Sequence, residues 1–428
     1  MVRKKSKSPW KVILAILLGI AAGTLTRTTA GVFGVTFYSI YDLIGNLFIN
    51  SLMLIVVPLI SASIITGVAR IGNETAMGRL GLKIFGFYIF TSFIAILIGL
   101  AVVNIFNPGV SFAEHGNELI SHDMSAQLKE DIANGYGVTV SSVILQIIPS
   151  NIVDAFQGNM MGLIFFSLLF GYAISRIEHH PQSIILGFWQ AVFQATLVMT
   201  DIIMRFLPIG VFCLVAKAFA TAGLDSLQAL ALFVLTVVLG LAIFMFGALP
   251  LLLKSIGRVN PLNHFRAMAP ALVTAFSTSS SSATLPVTME CVEKRAGVSN
   301  RICSLVIPLG TSINMSGSAL YECVAALFIA QVYGLELSLS TQFSVVLLSL
   351  VTSIGIAGIP SASIVAIIVI LKAIGLPPEG IGLLFAVDRI LDMCRTTVNV
   401  FSDSCCAVLV AATEGETEIL QKTTFELT

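Results

Sequence analysis

Apolar runs recur along this chain, and they limit its possible folds more than any other feature of the sequence. A helix that crosses a bilayer needs about 20 mainly apolar residues. Only 11% of the 428 residues are charged, whereas soluble domains carry about 25%. Most of the surface must therefore face lipid, and the sequence predicts an all-α membrane protein. The predicted spans are Trp10–Leu25, Phe37–Ala69, Leu82–Phe106, Val138–Ile177, Ile184–Ala220 and Leu227–Leu253.

Later apolar stretches contain too many polar residues to be simple spans. They are Ala267–Met289, Ile302–Val332, Ser338–Leu376 and Glu379–Ala411. Basic residues mark cytoplasmic flanks, and they lie on both sides of the first stretch. That stretch is therefore predicted to be a re-entrant hairpin with its tip in the STSSSS run, residues 277–282. Irregular backbone of this kind is tolerated where protein or water surrounds it.

The stretch Ser338–Leu376 is predicted to be a second hairpin, on the opposite side, because Gly and Pro interrupt it at residues 353–361. Two interrupted hairpins in the two halves of one region are typical of transporters built from inverted repeats. The start of the chain is predicted to be cytoplasmic, from Arg3, Lys4, Lys5 and Lys7. The acidic loop after the third span is predicted to be external.

The last apolar stretch carries the strongest functional signal. Its polar residues are spaced by four, three, four and four, which places them on one helix face: Asp388, Asp392, Arg395, Asn399 and Asp403. Charged groups within a membrane are costly, and a functional site is the default interpretation. A structural stripe of ion pairs is the alternative. Three carboxylates beside one arginine favour a cationic or ammonium ligand, with Arg389 offsetting part of the charge at the edge.

Two further motifs indicate ligand sites. The segment Pro308–Glu322 contains Asn314, Ser316 and Gly317, which predict an unwound stretch whose carbonyl groups bind sodium; a packing kink is the alternative. Glu322 follows without a nearby base and is a candidate proton carrier, since burial favours a neutral carboxyl group. The serine run Ser279–Ser282 suits a carboxylate ligand, because hydroxyl groups and helix-start N–H groups bind anions.

Other classes of protein are disfavoured. A formal net charge of +0 argues against nucleic-acid binding. A serine hydrolase needs a base, and the histidines lie outside these motifs: His115, His122, His179, His180 and His264. The seven cysteines show neither metal-ligand spacing nor a paired framework, so they are predicted to be small buried hydrophobic residues.

Four blocks of the sequence resemble the signature motifs of the glutamate/aspartate (dicarboxylate/amino acid:cation) symporter family. They are SSSSATLPVT (279–288), INMSGSALYE (313–322), GIAGIPSAS (355–363) and LDMCRTTVNVFSD (391–403). The resemblance covers nearly the whole chain, including residues 107–109. It implies eight membrane helices, two re-entrant hairpins, inverted repeats and a homotrimer. It also implies that the protein lies in the bacterial inner (plasma) membrane, in contact with lipid. Both termini would be cytoplasmic.

The resemblance further implies an elevator mechanism, in which a transport domain slides against a static scaffold. The scaffold would comprise residues 1–80 and 138–225. The transport domain would include helix 3 with its external loop (81–137), helix 6 (226–257) and the core of hairpins and helices 7 and 8 (258–413). Residues 414–428 would form a cytoplasmic tail.

The family's substrate residues map onto this chain by resemblance. Arg395 would bind the side-chain carboxylate of glutamate or aspartate, and Asp392 the amino group. Ser280, Ser281 and Asn399 would hold the α-carboxylate. The remaining residues of the implied pocket are Ser318, Ala357, Gly358, Ile359, Ser363 and Thr396. Ser363 stands where a glycine is usual. Many members carry an extra arginine at one of two positions, which here hold Ser279 and Met393, so potassium counter-transport is not inferred.

The resemblance also implies sodium sites, with sodium, protons or both as coupling ions. One site would use Gly310, Asn314, Asn399 and Asp403. A second would use Ser312, Met315, Ser353, Ile354 and Ile356. A third, near Tyr88, Thr91 and Ser92, is expected to be weakened because Ser316 replaces the usual aspartate.

Three alternatives to an acidic amino acid symporter stay open from the sequence. A neutral amino acid carrier is disfavoured by Arg395, and a C4-dicarboxylate carrier is disfavoured by Asp392. The third, from a different class, is an anion channel, which would show flux that is neither coupled nor saturable.

Overall fold

The computed structural model describes most of the chain, and the following paragraphs concern those parts only. The described residues are 10–32, 34–71, 77–110, 148–149, 151–156, 160–222, 226–355, 362–377, 380–417 and 419–420. The tip predicted for the second hairpin, with Ile356, Ala357, Gly358 and Ile359, lies outside them. So does most of the predicted external loop.

Within the described part of the first half of the chain, the regular elements are helices and one short antiparallel hairpin, β1 (Gly31–Val32) with β2 (Val35–Thr36). Its helices are α1 (Trp10–Thr26), α2 (Phe37–Ile71), α3 (Met77–Phe106), α4 (Ile152–Phe156), α5 (Met160–Ile174), α6 (His179–Ile203) and α7 (Leu207–Ala222).

In the second half, α8 (Ser226–Ile243) continues through a π-helical turn (Phe244–Ala248) into α9 (Leu249–Ser255). The following helices are α10 (Pro261–Thr278), α11 (Ser281–Glu290) with a π-helical turn (Cys291–Arg295), α12 (Asn300–Ile313), α13 (Ser316–Val332), α14 (Leu339–Gly355), α15 (Ala362–Ala373) and α16 (Ile381–Thr413).

Several helical segments of the described chain are long and apolar enough to cross a membrane. They are Phe37–Ala69, Arg79–Phe106, His179–Ile203, Leu227–Ser255, Asn300–Val332 and Ile381–Thr413. The prediction of an all-α membrane protein is confirmed at this level. Shorter apolar helices, including Leu339–Ile354, accompany them.

One predicted span proved wrong in its continuity. The stretch Ile184–Ala220 contains most of α6 and most of α7, with a turn at residues 204–206 between them. Pro208 explains the break, because proline has no N–H for the helix ladder and is tolerated in a first turn. Composition alone did not separate the two helices, since both are apolar.

Packing divides the helices into two groups. In the first, α1 packs on α7, and α2 packs on α5, α6 and α7. In the second, α13 packs against α3, α14, α15 and α16, and α16 also contacts α10 and α12. Between the groups, α7 contacts α16 and α14 contacts α2. Helix α13 is buried along almost its whole length, so it forms the centre of the second group.

The helix break predicted at the serine run is present. Helix α10 ends before Ser279, whose φ of 48° is left-handed, and the Ser279 N–H bonds the Ala275 carbonyl. Ser280 then caps α11, since its Oγ accepts from the Ala283 N–H at 3.3 Å. The two helices pack against each other.

The seven cysteines are free, and all except the partly exposed Cys394 are buried, as predicted.

Candidate functional site

The break between α12 and α13 is stabilised by a residue from another helix. Asn314 (φ −96°, ψ 74°) and Met315 (φ −99°, ψ 49°) leave helical geometry, and Met315 has no side chain able to cap α13. Asn399 of α16 supplies the cap instead. Its Oδ1 accepts from the Gly317 N–H at 2.8 Å and from the Ser318 N–H at 3.4 Å. The break therefore exists because α16 satisfies the first N–H groups of α13.

The amide nitrogen of Asn399 extends the same contact. Its Nδ2 donates to Ser318 Oγ at 3.1 Å and lies 3.3 Å from Met315 Sδ. Three residues that the sequence assigned to ligand sites are thus in direct contact. Thr396, one turn earlier on α16, is also buried.

Arg395 is the largest fully buried charged side chain at the site, with 1% of the side chain exposed. Its Nη2 donates to Asp388 Oδ1 at 2.8 Å and to Asp392 Oδ1 at 3.0 Å. The guanidinium carbon lies 3.9 Å from the centre of the Tyr321 ring. Tyr321 also donates its OH to Asp388 Oδ1 at 3.3 Å. These contacts fix the plane of the guanidinium group.

Two donors of Arg395 are left over. Among the residues that the structure describes, Nε and Nη1 have no hydrogen-bond partner although they are buried. Leaving a buried donor unsatisfied costs about 1–3 kcal/mol, and more for a charged group. An anionic ligand that accepts from either nitrogen would offset this cost with a charge-assisted hydrogen bond.

Asp403 lies against the backbone of α12. Its Oδ1 accepts from Asn314 Nδ2 at 2.9 Å, and a Cβ on Gly310 would stand 2.5 Å from that oxygen. Only glycine therefore fits at this position. The second oxygen, Oδ2, is buried and has no partner in the described part of the chain. A buried carboxylate oxygen beside the helix break matches the ligands that hard cations prefer.

The third predicted cation site is a network of neutral groups. Ser316 Oγ donates to Asn314 Oδ1 at 2.9 Å and lies 3.1 Å from Ser92 Oγ. Thr91 Oγ1 donates to the same Asn314 oxygen at 3.3 Å. Tyr88 of α3 donates instead to the Val306 carbonyl at 2.5 Å. Hydroxyl and amide groups thus satisfy one another around Ser316, at the position where the resemblance implies an aspartate.

Glu322 is completely buried on α13. Its Oε2 accepts from Thr352 Oγ1 of α14 at 3.0 Å, and the Ser363 hydroxyl of α15 faces the same carboxyl group. Both arms of the second predicted hairpin therefore contact Glu322. No ion pair involves Glu322 among the described residues, although Arg395 is close enough to act on it electrostatically.

The remaining predicted site residues lie on helices that pack against the helices of the site. Within the described chain they are related to it by helix packing and not by side-chain hydrogen bonds. Ser281 is buried on α11, which packs against α16. Ser353 and Ile354 are buried at the end of α14, which packs against the helix that carries Ser312. Ser353 Oγ donates to the Leu350 carbonyl of its own helix at 2.9 Å. Ile356 of this site lies outside the described residues.

Sequence reasoning missed several residues of the site. Ser402 lies next to Asp403 and accepts from Asn314 Nδ2 at 3.1 Å. His264, which the sequence placed outside the motifs, is buried with its Nε2 2.9 Å from Ser404 Oγ of α16. Tyr321 lies beside Glu322 in the block INMSGSALYE (313–322), and this position was the one sequence signal that could have marked it as a site residue. Its contact with Arg395 is visible only in three dimensions.

Comparison with known proteins agrees with this arrangement. The model of the sodium:dicarboxylate symporter family matches residues 9–413. The chain belongs to the sodium:dicarboxylate symporter family. Membership places the chain among secondary transporters rather than enzymes.

Relatives of this symporter family align over almost the whole chain. The proton/sodium-glutamate symport protein of Bacillus caldotenax is 34% identical over 415 residues, covering 95% of this chain and 94% of the relative. The proton/glutamate-aspartate symporter of Escherichia coli is 32% identical, covering 95% and 92%. Excitatory amino acid transporter 3 of Homo sapiens is 34% identical, covering 93% and 84%.

Proposed function

We propose that this protein is a cation-coupled symporter of acidic amino acids, L-glutamate or L-aspartate, at the plasma membrane. The observation that carries the proposal is the buried guanidinium group of Arg395, which has two unpartnered donors among the described residues and lies beside Asp392. The relatives named as glutamate and glutamate-aspartate symporters support the same substrate class.

The substrate contacts follow from the charges. Arg395 binds the side-chain carboxylate through Nε or Nη1, and Asp392 binds the ammonium group. The α-carboxylate then reaches Asn399 and the serines at the tip of the first hairpin, Ser280 and Ser281. A neutral amino acid leaves the two guanidinium donors unsatisfied, and a C4-dicarboxylate leaves Asp392 without an ammonium partner. An acidic amino acid satisfies both groups.

The coupling ions have separate places in the proposal. Sodium binds Asp403 together with carbonyl groups of Gly310, Asn314 and Asn399, which the open Oδ2 of Asp403 supports. A second sodium binds near Met315 and Ser353. Glu322 carries a proton, because it is buried and is faced by hydroxyl groups rather than by an ion-pair partner within the described chain.

The movement is proposed to be an elevator motion of the group centred on α13 and α16. The helices of the predicted scaffold, α1, α2 and α5–α7, pack mainly on one another, which supports the division. The two predicted re-entrant hairpins would gate the substrate site. A homotrimer in a bacterial inner membrane, with both termini in the cytoplasm, completes the proposal.

The substrate class is tested by uptake of labelled L-aspartate into proteoliposomes containing the purified protein. Unlabelled L-glutamate, L-serine and succinate serve as competitors. The proposal expects competition by glutamate at much lower concentration than by serine or succinate. Stronger competition by serine would indicate a neutral amino acid carrier, and stronger competition by succinate would indicate a dicarboxylate carrier.

A further inference from the structure

The two oxygens of the Asp392 carboxylate face different guanidinium groups. Oδ1 accepts from Arg395 Nη2 at 3.0 Å, whereas Oδ2 lies 3.6 Å from Arg389 Nη1. The Arg389 side chain is 18% exposed and that of Arg395 is 1% exposed. Arg389 therefore reaches Asp392 from the rim of the buried cluster.

The contact with Arg389 attracts Oδ2 but is not a hydrogen bond. A distance of 3.6 Å exceeds the donor–acceptor range of a hydrogen bond. Arg389 thus stabilises the negative charge of Asp392 without occupying a lone pair of Oδ2. Its contribution to the site is its charge, which acts over several ångströms.

Arg389 also changes the charge balance of the cluster. Asp388 and Asp392 bring two negative charges, and Arg389 and Arg395 bring two positive charges, so the four groups together are neutral. Without Arg389 the same cluster has one net negative charge. A net negative cluster repels an anionic substrate, and it repels a doubly charged one more strongly than a singly charged one.

We propose that Arg389 is a specificity-determining residue, whose charge sets how well this site accepts anionic substrates. The proposal rests on the proposed function, since it concerns the same substrate site. An acidic amino acid carries one net negative charge, and a dicarboxylate without an amino group carries two. Loss of the Arg389 charge therefore weakens both, and it weakens the dicarboxylate more.

The test compares two neutral variants with one that keeps the charge. Arg389→Gln retains polarity, Arg389→Met retains an apolar side-chain stem, and Arg389→Lys retains the positive charge. Lys294→Gln removes the same charge from an exposed ion pair with Glu290 and serves as the matched control. Initial rates of L-aspartate uptake into proteoliposomes give KM and Vmax, and succinate is added as a competitor.

We expect KM for aspartate to rise about tenfold in the Gln and Met variants, a change that corresponds to about 1.4 kcal/mol. Vmax should stay near that of the wild type, because Arg389 lies at the rim of the cluster and acts through its charge. The Lys variant and the Lys294→Gln control should keep the wild-type KM. The inhibition constant of succinate should rise by a larger factor than KM for aspartate.

Three results would overturn the proposal. An unchanged or lower KM in both neutral variants would show that the charge of Arg389 does not favour anions. An equal rise in KM for aspartate in the Lys variant would assign the effect to side-chain shape. If KM for aspartate and the inhibition constant of succinate rose by the same factor, Arg389 would have no role in specificity. Failure of the wild type to take up aspartate would instead contradict the proposed function, so the two failures are distinguishable.

Discussion

Arg395 donates a hydrogen bond to Asp388 Oδ1 at 2.8 Å, and the two residues lie two turns apart on α16. The bond uses Nη2, the same nitrogen that reaches Asp392. Nε and Nη1 remain without a partner within the described ranges. The aspartates therefore orient the guanidinium group through Nη2 and leave Nε and Nη1 as donors for a ligand.

Replacing Arg395 should change substrate selection. Removing one partner of a buried charge pair costs about 3–5 kcal/mol, so Arg395→Cys should weaken L-glutamate binding at least about a hundredfold and allow L-serine to compete. Binding is measured on the purified protein and checked by uptake. Arg176→Cys is the control, because Arg176 also stacks on a tyrosine ring, 5.1 Å from Tyr172, but is exposed. Unchanged glutamate affinity in Arg395→Cys would refute the assignment.

Gly310 gives a test of the sodium site that does not alter any side-chain ligand. A Cβ at this position would lie 2.5 Å from Asp403 Oδ1, and overpacking in a buried site costs about 1–3 kcal/mol. Gly310→Ala should lower sodium affinity at least about tenfold, measured as the sodium concentration for half-maximal aspartate binding. Gly86→Ala is the control, since nothing lies within 4 Å of a Cβ there. Equal sodium dependence in both variants would count against the site.

Ser316 should reduce the number of sodium ions coupled to each substrate. A unit charge about 4 Å from a cation contributes about 4 kcal/mol at an effective dielectric constant of 20. Ser316→Asp adds that charge beside Asn314 and Ser92, and it should increase the sodium stoichiometry by one. Reversal-potential flux measurements on proteoliposomes determine the value, with Ser316→Asn as the neutral control. Three sodium ions per substrate in the wild type would contradict this account.

Glu322 should connect transport to protons. Its carboxyl group is buried and is faced by Thr352 and Ser363, so each transport cycle is expected to load and release a proton there. Uptake of glutamate should increase with external acidity. Glu322→Gln, which mimics the protonated group, should abolish that response while preserving substrate exchange. Glu290→Gln alters an exposed carboxylate and is the control. A pH response that persists in Glu322→Gln would exclude this residue as the carrier.

The sequence predicted the features that depend on local spacing. The polar stripe from Asp388 to Asp403 follows helical periodicity, and the breaks at Ser279 and Asn314 follow from residue types that are poor in a lipid-facing helix. The sequence could not show that Asn399 caps α13, because this bond joins distant segments. It also could not show that the Tyr321 ring covers Arg395, since a buried tyrosine in an apolar span looks like core.

The division of roles between two arginines illustrates the same limit. Their spacing from Asp392 by three residues in each direction is visible in the sequence, and it predicts that both are near the carboxylate. Only the structure shows a hydrogen bond from Arg395 at 3.0 Å and a longer, purely electrostatic contact from Arg389 at 3.6 Å. Helix periodicity gives the face of a residue but not the direction of a long side chain.

Concentrative uptake under separately imposed ion gradients tests the central claim most directly. Proteoliposomes are loaded so that only a sodium gradient, only a proton gradient, both or neither is present, and accumulation of labelled L-aspartate is followed. Cation-coupled symport predicts accumulation above the external concentration when a sodium gradient, a proton gradient or both are imposed, and none when neither is present. Flux that only equilibrates and does not saturate under every condition would contradict cation-coupled symport and indicate a channel.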